Sequence, residues 1–221
     1  MNLLSHIPAF AWWALAFVVA LKILFAVLGS AWFKGAFGEW VVGRKLARLP
    51  EGYVVLNDVY LPLADGTTTQ IDHIVVSRYG IFVVETKNYS GWIFADEKSK
   101  VWTQTIYRKK STFQNPMRQN YLHICTVADN LGIDHAYVKG VVVFLGGCDF
   151  KTERPAGVVY AGGVADYIRG FATPMIKDDQ ILEIAAVILE WASTLSRQQV
   201  SSHVKNLKAR HRNHNARGRR F

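Results

Sequence analysis

The sequence predicts an α/β sandwich, a mixed sheet flanked by helices, behind an N-terminal transmembrane helix. Three observations lead there. Helical and strand-like patterns follow one another in the order helix, three strands, helix, strand. Residues 138–145 (VKGVVVFL) are an apolar run of the kind that a strand buried on both faces needs. Residues 7–33 carry a single charge, Lys22, in an otherwise apolar stretch. Half of the 221 residues are hydrophobic and 13% are aromatic. That suits one domain with a real core plus appendages, and is too little for two full domains.

The N-terminal stretch is long enough to span a bilayer. At about 1.5 Å per residue it covers the roughly 30 Å hydrocarbon core. Trp12, Trp13 and Trp32 lie towards its ends, where interfacial aromatics belong. A cleaved signal peptide and a buried core helix are the other readings. The first fits less well, because MNLLSH has no Lys or Arg and the apolar stretch is long. Lys22 would have to snorkel or pair within an oligomer. Nothing basic precedes the span, whereas Lys34, Arg44, Lys45 and Arg48 follow it. The positive-inside rule then expects a single-pass inner-membrane protein with everything after residue 34 in the cytosol.

Three segments follow: an anchor (1–33), a domain (34–196, its core about 35–145) and a tail (197–221). The tail holds eight Lys/Arg and no acid, and the rest of the chain holds 18 basic against 17 acidic residues. The net charge of +9 therefore belongs to the tail. It is expected to be disordered and to bind anionic lipid or nucleic acid. His203, His211 and His214 have no regular ligand spacing, so no metal is expected there. Cys125 and Cys148 are the only cysteines, too few for a zinc ribbon or a disulfide framework, and they fit a reducing compartment.

Within the domain, residues 36–49 suit a helix with Val42, Leu46 and Leu49 as its apolar stripe, ended by Pro50-Glu51-Gly52. Strands are expected at 53–59, 68–77 and 81–87, the last two joined near Tyr79-Gly80. A further hairpin at 91–95 and 101–107 turns around 96–100. Asn115 and Pro116 open a helix as N-cap and first residue; it runs to Leu131 with Met117, Tyr121, Ile124, Ala128 and Leu131 inward. A short strand at 157–161 and a helix at 178–195, with Asp178 and Asp179 in its first turn, complete the order.

Gln70-Ile71-Asp72-His73 and Glu85-Thr86-Lys87 place two acids and a lysine in otherwise apolar strands, where an unpaired charge is costly. Closing the hairpin on Tyr79-Gly80 sets Ile74 opposite Glu85 and Asp72 opposite Lys87. Asp72 and Glu85 are then diagonal neighbours on one face, Cα atoms about 7–8 Å apart, within reach of one cation. A four-residue loop keeps that face; a three-residue loop would separate the acids. Hard oxygen ligands favour Mg²⁺ or Mn²⁺, and an ammonium beside them can orient water and offset phosphate charge. Glu39, three residues before Val42, points inward on the same stripe. The residues alone leave a second reading open, a structural network in which Lys87 only pairs with Asp72 and Glu85.

The stretch from Gly38-Glu39 through QIDH (70–73), GIFVVETKNYSG (80–91), Trp102 and Asn115-Pro116-Met117-Arg118-Gln119 resembles the nuclease-related domain family. That family is similar to the PD-(D/E)xK superfamily, which implies a restriction-endonuclease-like core of helix, three strands, helix and strand. The resemblance implies that Asp72 and Glu85 hold a Mg²⁺ or Mn²⁺ ion, with the Thr86 carbonyl and Glu39 directly or through water. It makes Lys87 the catalytic lysine, Glu39 the acid of the first helix, and Gln119 a polar site residue. Related RecB-like nucleases carry Gln-x-x-x-Tyr, but the fourth position after Gln119 is His123, and a helical wheel sets Gln119 away from the apolar face. The implied activity is phosphodiester hydrolysis of DNA or RNA. The alternative is a catalytically silent, membrane-tethered platform for nucleic acid or protein.

Other residues have two readings each. His73 alternates to the face opposite Asp72, which suits packing or hydrogen bonding better than ligation. Asn88, Tyr89 and Gly91 shape a cleft rim or form a plain turn. Trp92 and Trp102 stack on bases or fill the core. Arg108, Lys109 and Lys110 touch phosphates or form a solvated loop.

Overall fold

A computed structural model of the chain describes residues 9–28 and 30–194; the basic tail and its histidines lie outside the described residues. The N-terminal apolar stretch forms α1 (Ala9–Leu28) and α2 (Ala31–Leu46). Ser30 interrupts it. Its side chain accepts from the Phe33 amide at 3.2 Å and caps a new helix. The stretches Ala16–Val27 and Trp32–Leu46 are bent by 61°. No single helix among the described residues is long and apolar enough to cross a membrane, although this bent pair is when taken together.

The chain continues with β1 (Tyr53–Pro62), β2 (Thr68–Ser77), β3 (Gly80–Lys87), β4 (Gly91–Phe94), β5 (Val101–Ile106), β6 (Lys109–Gln114) and α3 (Pro116–Leu131). After these come β7 (Val138–Phe144), β8 (Cys148–Phe150), β9 (Val158–Tyr160), α4 (Val164–Arg169) and α5 (Asp178–Thr194). Two mixed sheets result, ordered β1-β2-β3-β7-β9 and β6-β5-β4-β8. In the larger, β1, β2 and β3 are an antiparallel meander, and β7 and β9 add in parallel.

Period-two alternation divides the larger sheet between two cores. Ile74, Val76, Ile81 and Val83 pack with Val127 of α3 and Ile188 of α5. Val75, Phe82 and Val84 face the other way, against Val42 and Leu46 of α2 and Ile168 of α4. A third cluster around Trp102, Phe144 and Ile93 joins the sheets.

Four elements depart from the sequence reading. Lys109 and Lys110 belong to a strand, not a loop, because β6 exists through its pairing with β5 and buries almost nothing that a hydrophobic pattern could signal. β8 and α4 are too short to show a period. On α3, Met117, Ile124, Ala128 and Leu131 pack inward as expected, Tyr121 is exposed instead, and Asn120, His123 and Val127 are buried as well.

Gly91, at the chain's turn from β3 into β4, has φ +77°, and a Cβ there would lie 2.4 Å from the Thr105 carbonyl oxygen. Strain and a backbone clash add, so Gly91→Ala is expected to cost about 3 kcal/mol. Urea unfolding checks this; a loss below about 1 kcal/mol would mean that the turn relaxes freely.

Candidate active site

The β2–β3 ladder runs from Ser77 opposite Gly80 to His73 opposite Val84. The loop is therefore Arg78-Tyr79, one residue earlier than the sequence suggested. Gly80 starts β3 with φ +125°, and a Cβ there would sit 2.9 Å from the Tyr137 carbonyl oxygen. Ser77 Oγ closes the turn, accepting from the Tyr79 amide and donating to the Gly80 carbonyl, both at 3.2 Å. The register brings Asp72 level with Glu85, where the sequence reading set it opposite Lys87. Both registers keep Asp72 and Glu85 on one face.

The ladders on either side of β2 are interrupted at Asp72, while β3 stays paired with β7 through Glu85 and Lys87. The β2–β3 ladder ends at His73–Val84, and β1–β2 pairing skips the step between Asn57–His73 and Val59–Ile71. In that step Asp58 has φ +53°, a conformation uncommon outside glycine. Asp72 thus lies just past the end of the β2–β3 ladder and at the one step that the β1–β2 ladder skips. Its Oδ2 accepts the Thr86 amide at 2.7 Å, so a side chain replaces a ladder bond.

Glu85 is almost fully buried, and its Oε1 accepts from Lys87 Nζ at 2.6 Å. The same ammonium donates to Gln119 Oε1 at 3.0 Å. His123 Nε2 stands 3.4 Å from Glu85 Oε2, close enough for an ion pair though not aligned as a hydrogen bond, and its Nδ1 is 3.3 Å from Thr69 Oγ1. Gln119 therefore reaches the site, contrary to the helical-wheel expectation. The reason is that polar residues face inward: Asn120 donates to the Val83 and Val141 carbonyls at 3.0 and 3.3 Å. That turns Gln119 and, four residues on, His123 towards β3.

Burial and then the charge of Glu85 push the Asp72 carboxyl well above its ordinary range, against the bond from Thr86. Burial also acts to raise Glu85, but His123 and then Lys87 outweigh it and hold that carboxyl low. Glu39 is raised by burial and then by Asp58 and Glu85. These four acids thus feel one another, and α2 brings Glu39 in beside the pair. Gly38 permits that approach, since a Cβ there would lie 3.2 Å from Asn88 Cβ and 3.4 Å from Thr86 Cγ2.

The remaining candidates have other partners. His73 lies on the opposite face, its Nδ1 2.8 Å from Asn57 Oδ1, and burial lowers its ring to about 4. Asn88 Nδ2 donates to the Lys34 carbonyl at 2.7 Å, tying the end of β3 to α2. Tyr89 stacks on Phe113 with centroids 4.3 Å apart. Trp102 is core, donating from Nε1 to the Asp96 carbonyl, whereas Trp92 is exposed with Lys151 Nζ 5.2 Å from its ring centre. Arg108, Lys109 and Lys110 are all exposed.

Among the described residues, no three His, Cys, Asp or Glu side chains are gathered as a ready metal shell. Glu39 therefore does not complete a set with Asp72 and Glu85. The donor chemistry still fits a hard cation. The buried Asp72 carboxyl is raised by burial and by the charge of Glu85 beside it, a crowding that a divalent ion relieves, and the Thr86 carbonyl is a third oxygen in the same segment.

A mixed α/β fold with an acid pair and a lysine where the β2–β3 ladder ends is compatible with a nuclease-like core. The chain belongs to the nuclease-related domain family, whose model matches residues 34–145 and whose general context is the PD-(D/E)xK superfamily. An uncharacterized protein of Bacillus anthracis is 38% identical over 180 residues, covering 79% of this chain and 84% of that protein.

His123 was not among the residues that the sequence picked out. The available signal was its place four residues after Gln119, where a helix returns to the same side. His123→Ala leaves Glu85 with Lys87 as its single close partner. It is expected to weaken Mn²⁺ binding and any cleavage about 10–100-fold, the usual cost of losing a group that orients a ligand. His123→Gln, which can still donate towards Glu85, should recover most of this. An alanine variant with unchanged Mn²⁺ affinity by calorimetry would show that His123 only fills space.

Proposed function

We propose that the chain is a divalent-metal-dependent nuclease that hydrolyses phosphodiester bonds of DNA or RNA and is held at a membrane by its N-terminus. The observation that carries this reading is the Asp72–Glu85–Lys87 cluster, set where the β2–β3 ladder ends. Mg²⁺ or Mn²⁺ would be held by Asp72, Glu85 and the Thr86 carbonyl, with Glu39 through water, and would supply Lewis acidity and an activated water. Lys87 orients that water and offsets the negative charge that grows on the phosphate. Glu85 and Gln119 fix the ammonium from two sides. His123 Nε2 stands 3.4 Å from the other oxygen of Glu85.

The test is cleavage of single- and double-stranded DNA and RNA by the full chain in lipid nanodiscs. Activity with Mg²⁺ or Mn²⁺ that excess chelator removes is expected; activity that persists in chelator would overturn the mechanism. A catalytically silent platform for nucleic acid or protein is the second reading, favoured by the absence of a three-ligand set among the described residues. A titration with no Mg²⁺ or Mn²⁺ binding would decide for it.

Membrane anchoring is supported by the apolar side chains that α1 leaves exposed, Trp13, Phe17 and Phe25 among them. The basic residues after residue 33 support a cytosolic position for the domain. Protease added outside sealed spheroplasts should then spare the domain. The basic tail, residues 197–221, adds contact with anionic lipid or nucleic acid. Unchanged nucleic-acid affinity after deleting it would leave lipid as its ligand.

A further inference from the structure

The outward side of α2 has no place in the chemistry above, and its residues are of one kind. Phe33, Phe37, Trp40 and Arg44 follow at intervals of four, three and four, which lines them up on one side of a helix. Val42 and Leu46, wholly buried against the sheet, occupy the opposite side. Neighbouring rings along the ridge are in contact: Phe33 and Phe37 have centroids 6.4 Å apart, and Phe37 and Trp40 6.0 Å. The Arg44 guanidinium lies 5.5 Å from the Trp40 ring centre. Trp40 is 60% and Phe37 47% exposed. Such a ridge is unusual on a surface that meets only water.

We infer that this ridge is a bilayer-binding face: α2 lies in the headgroup region of an anionic membrane and presents the nuclease-like site from its other side. This rests on the membrane anchoring proposed above. Continuity supports the occupant, because α2 follows α1, which leaves Trp13, Phe17 and Phe25 exposed, across a 61° bend. A helix that turns sharply where a span ends comes to lie along the surface. Charge supports it too. The only acid in α2 is Glu39, on the inward side, while Lys34, Arg44 and Lys45 supply cations at the level of anionic headgroups. Trp and Phe beside Arg form the mixed apolar and cationic surface that an interface favours. Because α2 also carries Glu39, the acid cluster would stand about one helix diameter, ~10 Å, from the headgroups, and nucleic acid would have to enter along the membrane.

The test uses the full chain in phosphatidylcholine–phosphatidylglycerol vesicles, with nitroxide labels at Phe37→Cys or Trp40→Cys. A label at Leu182→Cys, on the exposed side of α5, is the control. Cys125→Ser removes the one partly exposed native thiol, and Cys148 is buried. Flotation reports anchoring, and collisions with oxygen and with a water-soluble nickel complex report depth. The chain should float, and labels at 37 and 40 should lose access to nickel and gain access to oxygen, while 182 stays open to nickel. If the chain floats but 37 and 40 remain as open to nickel as 182, the ridge does not dock and anchoring stands alone. If the chain stays at the bottom of the gradient, anchoring and docking fall together. Spin–spin broadening at 37 and 40 in detergent, without lipid, would assign the ridge to a second copy of the chain and overturn the proposal.

Discussion

Asp72→Asn is expected to abolish cleavage and, in the same molecule, to stabilise the metal-free fold. The Asp72 carboxyl is buried beside Glu85 and pushed well above its ordinary range. Asparagine keeps an oxygen for the Thr86 amide and removes the like charge. Relief of a buried, poorly compensated charge is worth about 1–2 kcal/mol. The sign with pH follows. The folded acid holds its proton to higher pH than the unfolded one, so stability falls as pH rises from the ordinary carboxylate range through the raised value. The asparagine advantage should therefore be absent in acid and grow as pH rises through the raised value. Loss of one carboxylate should also remove divalent-ion affinity, and cleavage should drop by about 10²–10³-fold or more. Thermal unfolding in chelator at neutral and acid pH checks the first half, and a metal titration the second. An asparagine variant less stable than the parent at neutral pH would show that Asp72 is a structural partner, not a ligand held under electrostatic strain.

The sequence made Asp72, Glu85 and Lys87 legible for one reason. Charged residues of matching parity in apolar strands must share a face whichever even-numbered loop joins them. The register itself depended on Gly80 being the first residue of β3, with a positive φ, instead of part of the loop. No strand pattern carries that. Asp58 was missed because its backbone, not its side-chain type, opens the sheet beside Asp72. The inward face of α3 was read in part, because hydrophobic periodicity finds Ile124, Ala128 and Leu131 but not the buried polar residues beside them. Asn120 and His123 are buried too, beside strand carbonyls and a carboxylate. The helical wheel set Gln119 away from the core for the same reason, although the family resemblance kept it as a site residue. The site is thus least legible where polar groups satisfy one another inside, which is also where function departs from packing rules. The 61° bend after α1 was hidden as well, since Ser30 sits in a stretch whose composition reads as one apolar run.

Lys87→Ala should fail in a different way from Asp72→Asn. The ammonium is no metal ligand; it is held between Glu85 Oε1 and Gln119 Oε1, at 2.6 and 3.0 Å. Removing it leaves Asp72 with its bond to Thr86, and Glu85 with His123 still close by. Divalent-ion binding should persist, because an ion also supplies the positive charge that Glu85 would lack. Cleavage should fall by about 10²–10⁴-fold, the range for a group that positions or transfers a proton in the transition state. Lys87→Arg should not rescue it. The guanidinium is a planar fork and cannot place a single donor between the two oxygens as the ammonium does. Gln119→Ala should show a smaller loss, since Glu85 still holds the lysine. Calorimetric Mn²⁺ titration and single-turnover cleavage, run on the same preparations, separate binding from chemistry. A Lys87→Ala chain that loses the metal together with activity would place the lysine in the architecture of the ion site and remove it from the chemical step.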